Sequence, residues 1–141
     1  MQREGGRRPL ARILLGLTFA LSACSGHTGL GTDDSDDAAI NVVPTNYKSD
    51  ILAAMHAYLN DPTGIRDAAL SQPMLQPVDG KTRYVVCVRF NGKMNGDTYA
   101  GEKDIAAVFL GGRFDRFLEK AREQCAGATY ASFPELEKLT R

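Results

Sequence analysis

The sequence lacks the short motifs that mark most hydrolases, metalloproteases and redox enzymes. It contains no G-x-S-x-G, H-E-x-x-H, C-x-x-C or phosphate-loop pattern. The chain has two histidines, His27 and His56, and His56 has no second metal ligand nearby in the sequence. A cysteine nucleophile needs a base as its partner, and two histidines offer little choice of one. The sequence therefore predicts no catalytic residue, no metal site and no cofactor.

An excess of positive charge is also missing. The chain carries 17 Lys and Arg side chains against 17 Asp and Glu side chains. Residues 1–23 hold four of the arginines and one glutamate, so the rest of the chain has a net charge near −3. Because nucleic-acid binding requires a basic face, the sequence argues against nucleic acid as a partner.

No apolar run is long enough to predict a permanent membrane helix. The run from Ile13 to Ala23 is about half of the roughly 20 residues that span a bilayer. Four arginines precede this run, and the small residues Ser22 and Ala23 end it. This arrangement is typical of a signal peptide, and we expect residues 1–23 to be removed.

The four residues Leu21-Ser22-Ala23-Cys24 resemble the lipobox of bacterial lipoproteins. The resemblance implies a diacylglyceryl group with fatty acyl chains such as palmitate on Cys24, cleavage before Cys24, and N-acylation. Anchoring is stable when at least two acyl chains insert into the membrane. Ser25 follows in place of an aspartate, which implies the outer membrane of a Gram-negative cell, with the protein facing the periplasm. An ordinary secretory peptide cleaved after Ala23 is the alternative.

Residues 24–46 are predicted to be the lipidated cysteine and an acidic tether. Gly, Ser, Thr and Asp dominate this stretch, and as a random coil it would span about 25 Å. The acidic run Asp33–Asp37 does not fit an EF-hand loop, because Ala38 and Pro44 occupy the positions that need Gly and Glu. Residues 47–141 are long enough for one small globular domain.

Cys87 and Cys125 are predicted to form a disulfide. An exported chain meets oxidising surroundings, in which a pair of cysteines is normally bonded. For a loop of this length the chain-entropy model gives about 4 kcal/mol of stabilisation as an upper figure. Neither cysteine is then available as a nucleophile.

The domain is predicted to be α+β, with an amphipathic helix packed on a three- or four-stranded antiparallel β-meander and a C-terminal segment held by the disulfide. The helix covers Lys48–Asn60 and has one apolar stripe. Its members are Ile51, Leu52, Met55, Tyr58 and Leu59. The clearest strand is Arg83–Phe90, whose even-numbered residues face the core. Because Cys87 lies on the other face, the disulfide is expected to fold the C-terminal segment over that face.

Three further stretches complete the predicted sheet. Ala69–Val78 is predicted as an edge strand that tolerates two prolines, and the apolar run Ile105–Leu110 as a central strand. Residues 113–124 leave two interpretations open. A Gly-Gly hairpin favours another strand, whereas the spacing of Phe114, Phe117 and Leu118 fits a helix. A short strand followed by a helical turn is the interpretation adopted.

This layout resembles a group of small proteobacterial envelope proteins of unknown role. The likeness covers roughly Lys48 to Leu110, and it implies a fold and a compartment but no catalytic residue. It is carried by four short segments: Tyr58-Leu59-Asn60-Asp61-Pro62, Tyr84-Val85-Val86-Cys87, Asn91-Gly92-Lys93 and Tyr99-Ala100-Gly101.

Two groups of charged residues are candidates for chemistry. Glu102 and Asp104 could act as paired carboxylates, but their spacing favours a solvated strand edge. The basic residues of 113–122 alternate with acids, which indicates a mixed surface. They are Arg113, Arg116, Lys120 and Arg122.

The sequence favours a non-enzymatic protein that binds, or structurally supports, another envelope protein or a cell-wall polymer. The alternative is an inhibitor of a periplasmic hydrolase such as lysozyme, acting through an exposed loop at Asn91–Lys103. An enzyme, or a carrier of a small ligand between sheet and helix, is a third hypothesis.

Overall fold

The computed structural model describes residues 40–94 and 96–141. The expected signal peptide, Cys24 and most of the expected tether lie outside the described residues. Within the described part of the chain, no helix combines the length and the apolar character needed to cross a membrane.

The domain is α+β, as predicted, with two helices and a six-stranded antiparallel sheet among the described residues. The predicted three or four strands are therefore too few. The helices are α1 (Tyr47–Tyr58) and α2 (Pro134–Glu137), and the strands are β1 (Arg66–Ser71), β2 (Met74–Val78), β3 (Lys81–Lys93), β4 (Tyr99–Leu110), β5 (Arg113–Leu118) and β6 (Tyr130–Ser132). The strand order is β5-β4-β3-β1-β6, and β2 also pairs with β3.

Strand β3 is long enough to hold two strands along one edge. β2 pairs with its first half, from Lys81 to Val85, and β1 pairs with its second half, from Val88 to Asn91. The prediction of one edge strand at Ala69–Val78 is therefore wrong. Gln72 and Pro73 lie outside both strands, because proline cannot donate a backbone hydrogen bond to a neighbouring strand. β1 is also not an edge strand, since it pairs with β3 on one side and with β6 on the other.

A buried serine satisfies the backbone at this break. The Ser71 hydroxyl accepts a hydrogen bond from the Cys87 backbone nitrogen at 2.9 Å and donates one to the Gln72 carbonyl at 2.9 Å. Buried backbone groups need such partners when a ladder is interrupted. Ser71 thus allows β3 to change its partner from β1 to β2 without losing a hydrogen bond.

A β-bulge in β5 explains why its sequence also fitted a helix. Val108 pairs with Arg116 and Phe109 pairs with Phe114, so Asp115 is an extra residue in β5. One extra residue shifts the two-residue alternation of a strand by one position. Phe114 and Phe117 therefore lie on the same face although they are three residues apart. The predicted strand is confirmed, and the helical turn after it includes a bond from the Cys125 nitrogen to the Ala121 carbonyl at 2.8 Å.

Each face of the sheet carries its own hydrophobic core. On the first face, α1 buries Ile51 and Met55 against alternate residues of β3 and β4, which confirms the predicted helix and its stripe. These strand residues are Val86, Val88, Phe90, Ile105, Ala107 and Phe109. On the second face, the segment after β5 buries Ala121 and Cys125 against the other alternate residues, which are Val85, Cys87, Ala106 and Val108.

The predicted disulfide joins Cys87 and Cys125 across the second face. The two Cα atoms are 5.7 Å apart, Cys87 is completely buried, and Cys125 is 8% exposed. No long helix among the described residues covers this face, so the disulfide holds the covering segment in place. The prediction that the C-terminal segment covers the back of the sheet is confirmed.

Replacing both cysteines, as Cys87→Ala with Cys125→Ala, should lower the free energy of unfolding by about 2–5 kcal/mol. The loss arises because the unfolded chain regains the entropy of an open loop of 38 residues. Urea unfolding followed by circular dichroism measures it. Wild-type protein treated with a thiol reductant should unfold at a similarly lowered urea concentration. An unchanged midpoint for the double variant would contradict the role of the disulfide.

Candidate binding surfaces

An open groove runs between α1 and the edge strand β5. We call it the α1–β5 groove. It consists of two adjoining concavities of about 540 Å³ and 410 Å³ that share Ala54 and Phe114. The groove exists because α1 places alanines on the flank that faces β5. Its lining residues are Asp50, Ala53, Ala54, Ala57 and Tyr58 from the helix, and Arg113, Phe114, Arg116, Phe117 and Glu119 from β5 and its end.

Three half-buried aromatic rings line this groove. Phe117 lies between the other two, with ring centroids 4.7 Å from Phe114 and 5.1 Å from Tyr58. Tilted pairs at these distances stabilise each other beyond the area they bury. The bulge at Asp115 brings both phenylalanines to this face, and the rings give the groove an apolar and preformed floor.

A series of hydrogen-bonded polar side chains lies beside the rings. The Tyr58 hydroxyl donates to the Glu119 carboxylate at 2.7 Å and accepts from the Lys103 ammonium at 3.2 Å. Burial and the bond to Glu119 raise the pKa of Tyr58 to about 12. The Tyr58 phenol therefore stays protonated above pH 10, where an ordinary tyrosine ionises. Its two hydrogen bonds tie the end of α1 to β4 and to the end of β5.

A second concavity, of about 580 Å³, lies on the opposite face beside the disulfide. It is lined by Asp104, the 119–122 stretch and Cys125. Asp104 accepts two hydrogen bonds from Arg89, at 2.8 and 2.9 Å. The Arg89 guanidinium lowers the pKa of the Asp104 carboxyl, so that Asp104 remains ionised and paired.

Tyr130 stacks on the other side of Arg89. The guanidinium carbon lies 4.2 Å from the ring centroid, which is cation–π geometry. The Tyr130 hydroxyl is buried beside the Asp104 carboxylate and the Arg89 guanidinium. Burial and the nearby charge of Asp104 raise the pKa of Tyr130.

The structure places the predicted carboxylate pair on one strand but in different surroundings. Asp104 is engaged by Arg89, whereas Glu102 is exposed on the part of β4 that extends beyond β5. A general acid needs a raised pKa, and the pKa of Asp104 is lowered. The interpretation of this pair as a solvated strand edge agrees with the geometry.

The remaining candidate residues do not come together. His56 is exposed, and its Nε2 lies 3.0 Å from the Thr140 carbonyl oxygen. Across residues 40–94 and 96–141, no cluster of His, Cys, Asp and Glu is arranged to hold a metal. Arg116 pairs with Asp79 at 2.6 Å and with Asp115.

The predicted loop at Asn91–Lys103 is mostly paired strand. β3 continues to Lys93, and β4 begins at Tyr99, so the connection is a short turn. Met94 in this turn is 61% exposed. The inhibitor hypothesis relied on a longer loop than the chain provides. The α1–β5 groove was missed by sequence reasoning, although the alanines at 53, 54 and 57 on one helix flank were a signal for it.

Comparison of the chain with protein-family models, with curated proteins and with solved structures finds no match in any of the three.

Replacing Tyr58 with Phe should lower the free energy of unfolding by about 1 kcal/mol, since two hydrogen bonds of its hydroxyl are lost. Because folding raises the pKa of Tyr58 from 10.0 to about 12, this contribution is present in full below pH 10. It is lost as the pH rises towards 12. Urea unfolding of both proteins at a series of pH values measures the difference.

Ultraviolet absorbance of tyrosinate after rapid mixing gives a second readout of the same prediction. Tyr58→Phe should remove a tyrosine that ionises near pH 12. The control is Tyr47→Phe, because the Tyr47 hydroxyl donates to the Gln72 amide oxygen and not to a carboxylate. If Tyr58→Phe instead removes absorbance that appears near pH 10, the ordinary value for a tyrosine, the raised pKa has been assigned to the wrong residue.

Proposed function

We propose that this chain is an exported protein, lipid-anchored through Cys24, that acts by binding another envelope component without catalysing a reaction. The observation that carries the proposal is the Cys87–Cys125 disulfide at the centre of the domain. Structural disulfides persist in oxidising compartments and are rare in the cytosol. The lipobox-like residues 21–24 agree with such a compartment and add the anchor.

The side chains that could act in catalysis are already bonded to other residues of the domain, and this supports binding over catalysis. Both cysteines of the domain are bonded to each other. The Asp104 carboxylate is committed to Arg89, and the Tyr58 hydroxyl to Glu119 and Lys103. Groups held in this way fix the shape of a surface. The two concavities thus resemble preformed recognition surfaces more than reaction centres.

The position of the first described residues supports attachment at one end of the domain. The Gly111 backbone nitrogen donates to the Ile40 carbonyl at 2.6 Å, so the chain enters the domain at the β4–β5 turn. Cys24 precedes Ile40 in the sequence, and an anchor on Cys24 would join the domain at this turn. The β3–β4 turn with Met94 lies at the other end of the strands, away from the attachment point.

The mass of the chain extracted from membranes with detergent tests the anchor and the disulfide together. We expect a chain that begins at Cys24, carries acyl groups, and shows no alkylated thiol when alkylated without reduction. The matched control is Cys24→Ser, which should be found unacylated and outside the membrane fraction. A soluble and unacylated wild-type chain would overturn the proposed location.

Crosslinking in cells tests the binding role. Partners of the wild-type protein, identified by mass spectrometry, should include a reproducible envelope protein or cell-wall fragment. That neighbour should be absent when residues 47–141 are deleted and the anchor and tether are kept. Recovery of only abundant envelope proteins from both forms would count against a specific partner.

A further inference from the structure

Two exposed valines lie where the chain enters the domain. Val42 is 50% exposed and Val43 is 52% exposed. They are two of the four large hydrophobic side chains that are exposed in the described part of the chain, and they are adjacent. Single exposed apolar residues are common on protein surfaces, whereas neighbouring ones indicate contact with another molecule.

The folded domain holds these valines in place. The Gly111 backbone nitrogen donates to the Ile40 carbonyl at 2.6 Å, and Pro44 is buried. Between these two attachments Val42 packs on Gly112, where a Cβ atom would lie only 3.2 Å from Val42 Cγ1. The exposure of the valines is therefore a property of the fold.

The valines lie at one end of the sheet, together with two turns. In the β3–β4 register Tyr84 is opposite Phe109, so the start of β3 is beside the end of β4. The β2–β3 and β4–β5 turns are therefore neighbours, and we call this part of the domain, with Val42 and Val43, the valine end. The β3–β4 turn with Met94 lies at the opposite end, about 40 Å away along the 13 residues of β3.

The charges at the valine end are mainly basic. Three exposed basic side chains lie there: Lys48, Lys81 and Arg113. The exposed acid of the β2–β3 turn, Asp79, is paired with Arg116 at 2.6 Å. Asp50 is half-buried and lines the same concavity as Arg113. Apolar side chains accompanied by basic ones match the headgroup layer of a membrane, where phosphates attract cations and the acyl chains begin.

We propose that the valine end rests on the lipid bilayer, with Val42 and Val43 inserted among the headgroups. This inference rests on the proposed anchor at Cys24. Cys24 precedes Ile40 by 16 residues, which as a random coil would span about 20–24 Å. This distance is shorter than β3, so an anchored domain meets the bilayer with its valine end.

The anchor makes a small contact sufficient. Two half-exposed valines bury too little apolar area to hold a free domain on a membrane. An acylated Cys24 keeps the domain near the bilayer and makes the contact intramolecular, which raises its effective concentration. The same contact sets the orientation of the domain. The strands lead away from the bilayer, and the β3–β4 turn is the part farthest from it.

Tryptophan fluorescence in vesicles tests the contact, because the chain contains no tryptophan of its own. The acylated Val43→Trp variant is reconstituted into vesicles of phosphatidylethanolamine and phosphatidylglycerol. The matched control is Met94→Trp, which places the same fluorophore at an exposed position of the opposite end. With brominated acyl chains in the lipids, we expect at least about twofold quenching for Val43→Trp, since interfacial side chains reach the acyl boundary. We expect none for Met94→Trp.

A charge placed beside the fluorophore separates insertion from proximity. Adding Val42→Asp to Val43→Trp should abolish the quenching, because a carboxylate is costly to bury among acyl chains. Adding Met94→Asp instead should leave the quenching unchanged, since that turn does not touch the bilayer. Quenching that survives Val42→Asp would overturn the insertion of the valines.

Flotation of the same samples distinguishes the contact from the anchor. Acylated Val43→Trp protein that floats with the vesicles but is not quenched would overturn the contact and leave the anchor standing. Protein that carries no acyl groups and does not float would overturn the anchor, and this inference with it. The whole chain with both Cys24→Ser and Val43→Trp should neither float nor be quenched, because the valines alone do not hold it.

Discussion

Strand β3 has to be covered on both faces, and the rest of the domain follows from this requirement. Its residues from Val85 to Val88 are completely buried, so that neither face can be left to solvent. The long helix α1 covers the first face. On the second face the segment after β5 has little regular structure of its own, and the bond from Cys125 to Cys87 holds it there.

The sheet protects its edges in three different ways. The outer strand β2 contains Pro77, which cannot donate a hydrogen bond to a further strand. β6 is only three residues long, and β5 combines a bulge with exposed charges. These devices oppose uncontrolled pairing of backbones. They leave side-chain surfaces, among them the α1–β5 groove, exposed beside the edges of the sheet.

Sequence reasoning succeeded where one local pattern decided the structure. The two-residue alternation of β3 and the apolar stripe of α1 predicted both elements and the faces they bury. It failed where the structure depends on pairing between strands that are distant in the sequence. Nothing near Ala69–Val78 shows that β3 is long enough to pair with two strands, and the three residues of β6 become a strand only beside β1. The bulge at Asp115 imitated helical spacing, and the groove depends on how α1 lies against β5.

The bond between the Cys87 and Cys125 sulfurs also determines how the molecule would respond to a mechanical pull. Residues 87–125 form a covalently closed ring that contains all of β4 and β5. Tension on the N-terminal segment first acts on the hydrogen bond between the Gly111 nitrogen and the Ile40 carbonyl. Once that hydrogen bond is broken, the chain can be extended only as far as Cys87, where the closed ring takes up the force. The hairpin that lines the α1–β5 groove is therefore the part of the domain best protected from stretching.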